Sequence, residues 1–121
     1  MNYNNLYIDF KKRMSEDNDY FQKEEYENLI DNTVGIHIAF GMVVVPYILF
    51  MLKNNDKIKL DKIFDFMEEM SLCDDVKVQE VLDFTILESL IDSGHQELEQ
   101  TKRFMRENTL KHCEEIEKFF C

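Results

Sequence analysis

The stretch "NTVGIHIAFGMVVVPYILFMLK", Asn32 to Lys53, decides how this chain folds. Between Thr33 and Leu52 it holds no formally charged residue, although 32% of the chain is Asp, Glu, Lys or Arg. At a rise of about 1.5 Å per residue, roughly 20 apolar residues cross a bilayer, so the stretch reads either as a membrane span or as a core helix. Pro46 lies in its middle and Gly35 and Gly41 precede it, so an uninterrupted helix of ordinary geometry is not expected. Membrane helices tolerate both residue types, and the flanks therefore matter more. Asp31 and a lone Lys53 supply neither the basic clusters nor the aromatic belts that anchor a span. The weightiest point is elsewhere in the chain. At least four other segments carry apolar stripes that need a central apolar element to pack on. The stretch is read as core, with Val44, Ile48 and Leu52 buried and no membrane contact.

Composition agrees with a small helical domain. The 121 residues (14.6 kDa) suit one domain, residues 1–121, with a modest core. An apolar fraction of 45%, with ten Phe and five Tyr, argues against disorder. Three Gly and one Pro are too few for a β-domain built on tight turns. The three cysteines (Cys73, Cys113 and Cys121) are widely spaced and form no CxxC or Cys/His array, so neither a disulfide scaffold nor a zinc site is expected. The N-terminal "MNYNNLYIDFKKR" places its charges after an amphipathic run, unlike a signal peptide. A reducing cytoplasm is the expected compartment.

Outward from the apolar stretch, every segment has helical spacing. Tyr3, Leu6, Tyr7, Phe10 and Met14 mark a first short helix, and "SEDND" interrupts it. A second helix is predicted over about 20–31 with Tyr26, Leu29 and Ile30 inward. "KNND" stops the apolar stretch, and Leu60, Ile63, Phe64 and Met67 give the stripe of a helix over about 58–72. Asp74 and Asp75 are placed to cap the next one, about 75–92, which Gly94 closes. "QELEQTKRFM" and "NTLKHCEEIEKFF" read as two short helices, the latter capped by Asn108. No segment alternates cleanly with period two. The expectation is all-α, about six helices around the central apolar one.

Charge is the strongest functional signal. The net charge is −11, and residues 65–97 alone hold ten acids against Lys77. Residues 15–31 form a second acidic segment with seven acids and one base. Asp61, Asp65 and Glu68 fall on one helical stripe beside Glu69, and like-charge pairs at this spacing cost about 0.2–0.5 kcal/mol each. A basic partner would relieve that repulsion and be steered by it. Direct nucleic-acid binding needs the opposite sign. Asp83 lies on an otherwise apolar stripe and is expected to turn to solvent or to pair with a Lys or Arg of a neighbouring helix. The acids Asp65, Glu68, Glu69, Asp74, Asp75, Asp83, Glu88 and Asp92 are the candidate partner interface. Reversal of Asp65, Glu68 and Glu69 is expected to spare the fold.

Catalytic patterns are poor. His37, His95 and His112 are far apart, and His37 reads as a hydrogen-bonded core histidine. A di-metal bundle needs Glu-x-x-His twice, and the motif is missing. Cys113 beside His112 lacks a nucleophile's orientation, because adjacent helical side chains diverge. No glycine-rich phosphate loop occurs. No enzyme, cofactor or metal is expected.

"IKLDKIFDFMEEMSLCDDVKVQEVLDFTILESLID" resembles a HEAT-like helical pair: one amphipathic helix, an Asp-rich turn, and a second helix with apolar positions from Val78 to Leu90. With "PYILFMLKNND" before it and two short helices after, residues 42–120 resemble small all-helical immunity proteins of bacterial polymorphic-toxin and contact-dependent growth inhibition systems. The basic residue usual early in the second helix is not matched cleanly by Lys77. The resemblance implies a cytoplasmic protein that binds and neutralises a cognate toxin with a basic surface, commonly a nuclease. The alternatives are a stand-alone helical adaptor or regulator, and a DNA-mimic inhibitor.

Overall fold

A computed structural model describes residues 1–120 and is helical throughout, with no strand among them. Among these residues seven helices pack as one unit, six of them around the central apolar one as the sequence led us to expect. Helix α1 covers Leu6–Arg13 and, after a 3₁₀ turn at Ser15–Asp17, α2 covers Asn18–Glu27. Helix α3 is the apolar stretch, Ile36–Lys53. Helix α4 covers Lys57–Ser71, α5 covers 76–92, α6 covers His95–Lys102 and α7 covers Glu107–Glu117.

By length and composition α3 could cross a membrane. It sits instead at the centre of the bundle, packed against α1, α2, α4, α5 and α6, while α7 closes over α4 and α5. Ala39, Phe40, Val43, Val44, Tyr47, Ile48 and Met51 are buried along it, and Leu52 is only half-buried. Phe10 of α1 is the hub of the aromatic core. It meets Phe21, Phe40, Tyr47 and Phe66 edge-on at centroid distances of 5.3–6.2 Å, the geometry that aromatic quadrupoles favour. The amphipathic stripes thus close on α3 as their spacing requires.

The irregularity expected near Pro46 takes the form of a π-helical turn. Over Phe40–Val44 the helix widens, and the Val45 N–H reaches the Phe40 carbonyl five residues back. Pro46 has no N–H to donate, and its ring crowds the carbonyl four residues earlier, which a wider turn relieves. Helix α5 contains a second π-helical stretch, Val81–Leu87. The two wide turns pack on each other, with Thr85 beside Gly41 and its hydroxyl 2.6 Å from His37 Nδ1. His37 is therefore half-buried and hydrogen-bonded.

Polar clamps fix the N-terminal helices to this core. Asp17 accepts from the Tyr47 hydroxyl and from Lys59 Nζ, joining the 3₁₀ turn to α3 and α4. Burial, then the bond to Asp17, pushes the Tyr47 phenol up, and the same carboxylate raises Lys59. Arg13 donates two bonds to Glu69, at 2.6 and 3.0 Å, and lies over the Phe66 ring.

Helix α2 departs from expectation at its end. It stops at Glu27, and Phe21 is its buried residue. Tyr26 and Leu29, expected inward, are each 84% exposed, and Ile30 is half-buried. Tyr26 lies within the helix on a face turned away from Phe21, and for Leu29 and Ile30 the cause is the C-cap. The Ile30 N–H bonds the Glu25 carbonyl and the Leu29 N–H bonds the Tyr26 carbonyl, a Schellman closure with Leu29 at φ +57°. That left-handed residue turns the chain away before another inward position is reached. Helix α3 ends the same way, with Asn55 at φ +55° and bonds from Asp56 to Met51 and from Asn55 to Leu52.

Candidate partner-binding surface

Five of the eight candidate acids are bonded within the chain. On α4, Asp65 accepts from Arg106 at 2.8 Å, and Glu69 takes the Arg13 clamp. Glu68 caps α7 from outside. Its two carboxylate oxygens accept from the Asn108 N–H and amide and from the Thr109 N–H and hydroxyl, at 2.8–3.1 Å. Asn108, predicted to cap this helix itself, is a donor in it. Burial alone would raise the Glu68 carboxyl, but these four bonds outweigh it and hold it below the usual glutamate range. A negative charge at a helix N-terminus is also favoured by the helix dipole. Arg13 lowers Glu69 in the same direction, chiefly by hydrogen bonding.

On the other side of the 72–75 turn, Asp75 caps α5 by accepting from the Lys77 N–H at 3.0 Å and also holds the Tyr3 N–H at 2.9 Å. Asp74 makes no cap and is exposed. Asp83 meets a histidine rather than the Lys or Arg expected of a neighbouring helix: His112 Nδ1 of α7 is 2.7 Å away. An ionised carboxylate only accepts, so the Nδ1 proton belongs to the histidine.

Asp74, Glu88 and Asp92 have no bonding partner among the described residues, and neither does Glu80. Glu80, Phe84, Glu88 and Asp92 recur every four residues along α5 and form one outward ridge. Phe84, at its centre, is 60% exposed. Fewer than a third of interface residues typically carry most of the binding energy, and aromatic anchors ringed by polar groups are prominent among them. The sequence reading weighed acids and passed over Phe84. Its position four residues from both Glu80 and Glu88 was the available signal.

Among the described residues no group of three or more His, Cys, Asp and Glu is disposed to hold a metal ion. Cys113 is buried, and burial followed by the Glu117 charge pushes its thiol up to about 12, far from a reactive thiolate.

Residues 7–121 match the family described as Domain of unknown function (DUF7674). The chain belongs to the DUF7674 family. No curated protein and no solved structure matches it. Within this DUF7674 domain, then, it is the geometry of the α5 ridge that distinguishes one stretch of acidic surface from the rest.

Proposed function

We propose that this protein is an immunity-type binding protein that neutralises a cognate bacterial toxin with a basic surface, such as a nuclease, in the cytoplasm. The α5 ridge is the centre of the contact. The observation that carries this reading is Phe84, 60% exposed between acids that no cation of the chain neutralises. A basic partner would supply that cation, bury the ring, and be drawn in by the net charge of −11. The resemblance of residues 42–120 to small helical immunity proteins supports the same partner class. Mimicry of DNA is the weaker reading. Asp65, Glu69 and Asp83 are each paired inside the fold, which breaks up any regular row of phosphate-like charges.

Co-expression with the product of the neighbouring gene, followed by affinity capture, tests the partner. A basic toxin retained at low salt is the expected result, and a neighbour that neither binds nor intoxicates cells would remove the reading. The ridge is tested by the variant E80K/E88K/D92K. It should keep its helical signal and lose association rate at low salt by roughly tenfold or more. A folded triple variant with an unchanged on-rate would move the interface elsewhere.

A further inference from the structure

A second surface lies on the opposite half of the chain in sequence, and its features do not depend on the α5 ridge. A cleft of about 330 Å³ opens between α1, the 28–35 connection and the first turn of α3. That volume is at the small end of ligand sites, which run from about 300 to 1,000 Å³, and suits one long side chain. Ile8, Ile30, Val34 and Ile36 form apolar walls. Glu25, Asp31 and Lys11 are the charged lining residues, two acids against one base. Glu25 Oε2 accepts from the Tyr7 hydroxyl and Lys11 Nζ, both at 2.7 Å, while Asp31 Oδ1 accepts from Thr33. Oxygens Glu25 Oε1 and Asp31 Oδ2 take no hydrogen bond among the described residues. The bonds from Thr33 hold Asp31 below the usual aspartate range, so it is ionised at neutral pH.

The second, independent observation concerns two residues next to the lining in sequence. Tyr26 and Leu29 immediately adjoin the lining residues Glu25 and Ile30 in sequence, and each is 84% exposed. Leu29 also holds a left-handed backbone that favours Gly or Asn, while the equivalent position after α3 is Asn55. A leucine there is strained and gains no burial inside the chain. Strain of this kind at an exposed apolar residue points to a use outside the fold. The surrounding segment, residues 15–31, has seven acids against Lys23, so its surface selects a cation.

We propose that this cleft receives an arginine side chain of a basic protein partner, with Tyr26 and Leu29 as further apolar contacts. The methylene stem would lie along the isoleucine and valine walls, as long cationic side chains do on apolar surface. The guanidinium would donate to the open oxygens of Glu25 and Asp31, and its planar fork suits carboxylates better than a lysine ammonium.

The test is a nuclear magnetic resonance titration of the ¹⁵N-labelled full chain with N-acetyl-L-arginine amide. N-acetyl-L-leucine amide and N-acetyl-L-glutamate amide serve as the comparison probes. The expected result is saturable shifts at the amides of Ile8, Ile30, Val34 and Ile36 with the arginine probe, and weak or no shifts with the other two. Y26A, L29G and D31N should each keep the fold, since all three positions are exposed, and D31N should weaken arginine binding by roughly tenfold. The α5 variant E80K/E88K/D92K should bind the arginine probe unchanged, so failure of the toxin reading and failure of this one are separable. Equal shifts with the leucine probe would overturn the proposal by showing a plain apolar slot. Diffuse shifts over all acids would overturn it too, as would shifts of the same amides with protein concentration alone, which would make the occupant a second copy of the chain.

Discussion

Helices α4 and α5 are consecutive, carry four acids each, and are separated by one short turn, yet their carboxylates meet different fates. Along α4, Asp65, Glu68 and Glu69 are met by Arg106, by the start of α7, and by Arg13. Along α5, Glu80, Glu88 and Asp92 meet nothing within the described chain. The difference does not lie in the helices themselves. It lies in what the rest of the chain brings to them: α7 begins over α4, and α1 ends beside it with a basic last turn of Lys11, Lys12 and Arg13. No basic helix end arrives over the outer ridge of α5. An acidic block in a sequence is therefore two populations, charges consumed by folding and charges left unpaired, and only the tertiary contacts sort them.

The largest effect that could break this comparison is at Glu68. E68K would remove four hydrogen bonds, leave the Asn108 and Thr109 N–H groups uncapped, and place a cation at a helix N-terminus. We expect a loss on the order of 3 kcal/mol in urea unfolding, larger than an exposed substitution gives. D65K/E68K/E69K should be worse, because the Arg13 and Arg106 pairs would become repulsive. The sequence alone led us to expect that this triple reversal would leave the fold intact. A triple variant as stable as the parent would return α4 to the set of free surfaces.

Acid titration sharpens the same contrast at moderate size. Glu68 and Glu69 have carboxyls lowered in the folded state relative to the ordinary value of 4.5. Lowered acids add stability that is fully present above the unfolded value and is lost as pH falls through the folded one. Stability should thus begin to decline near pH 4.5 and keep falling below it, as read by urea midpoints across pH. E68Q should lower the neutral-pH stability by about 1 kcal/mol and flatten the slope below pH 4.5. A slope identical to the parent's would mean that the Glu68 charge does not hold α7.

How far the sequence carried the reading follows from the same physics. The central helix was legible because five neighbours each needed an apolar surface, and periodicity alone reveals that demand. The stripe from Leu60 to Met67 and the Asp75 cap were legible because spacing and capping chemistry are local. Leu29 was misplaced because a helix end depends on one backbone torsion. Leucine gives no warning that it will adopt the left-handed form, whereas "KNND" announced Asn55 plainly. The Glu68 cap was illegible because its donors come from about 40 residues away, at Asn108 and Thr109. Long-range polar pairs leave no period in a sequence.

The smallest prediction has the opposite sign and probes α5 directly. Asp92 is the last residue of its helix, where the dipole disfavours a negative charge, and it follows Glu88 by four residues, a repulsive spacing. No base of the chain offsets either penalty. D92N should therefore stabilise the protein by about 0.5 kcal/mol at low salt, and the gain should shrink as added salt screens both repulsions. On α4, by contrast, neutralising Glu68 should cost stability. Opposite signs from two carboxylate-to-amide changes on adjacent helices would establish that α4 uses its charge to fold and that α5 carries its charge at a cost to folding. A carboxylate carried at a cost to folding is what the proposed toxin contact requires of this ridge. If D92N were instead destabilising, an intramolecular partner would hold Asp92, and the ridge would lose one of the free charges on which toxin binding was argued.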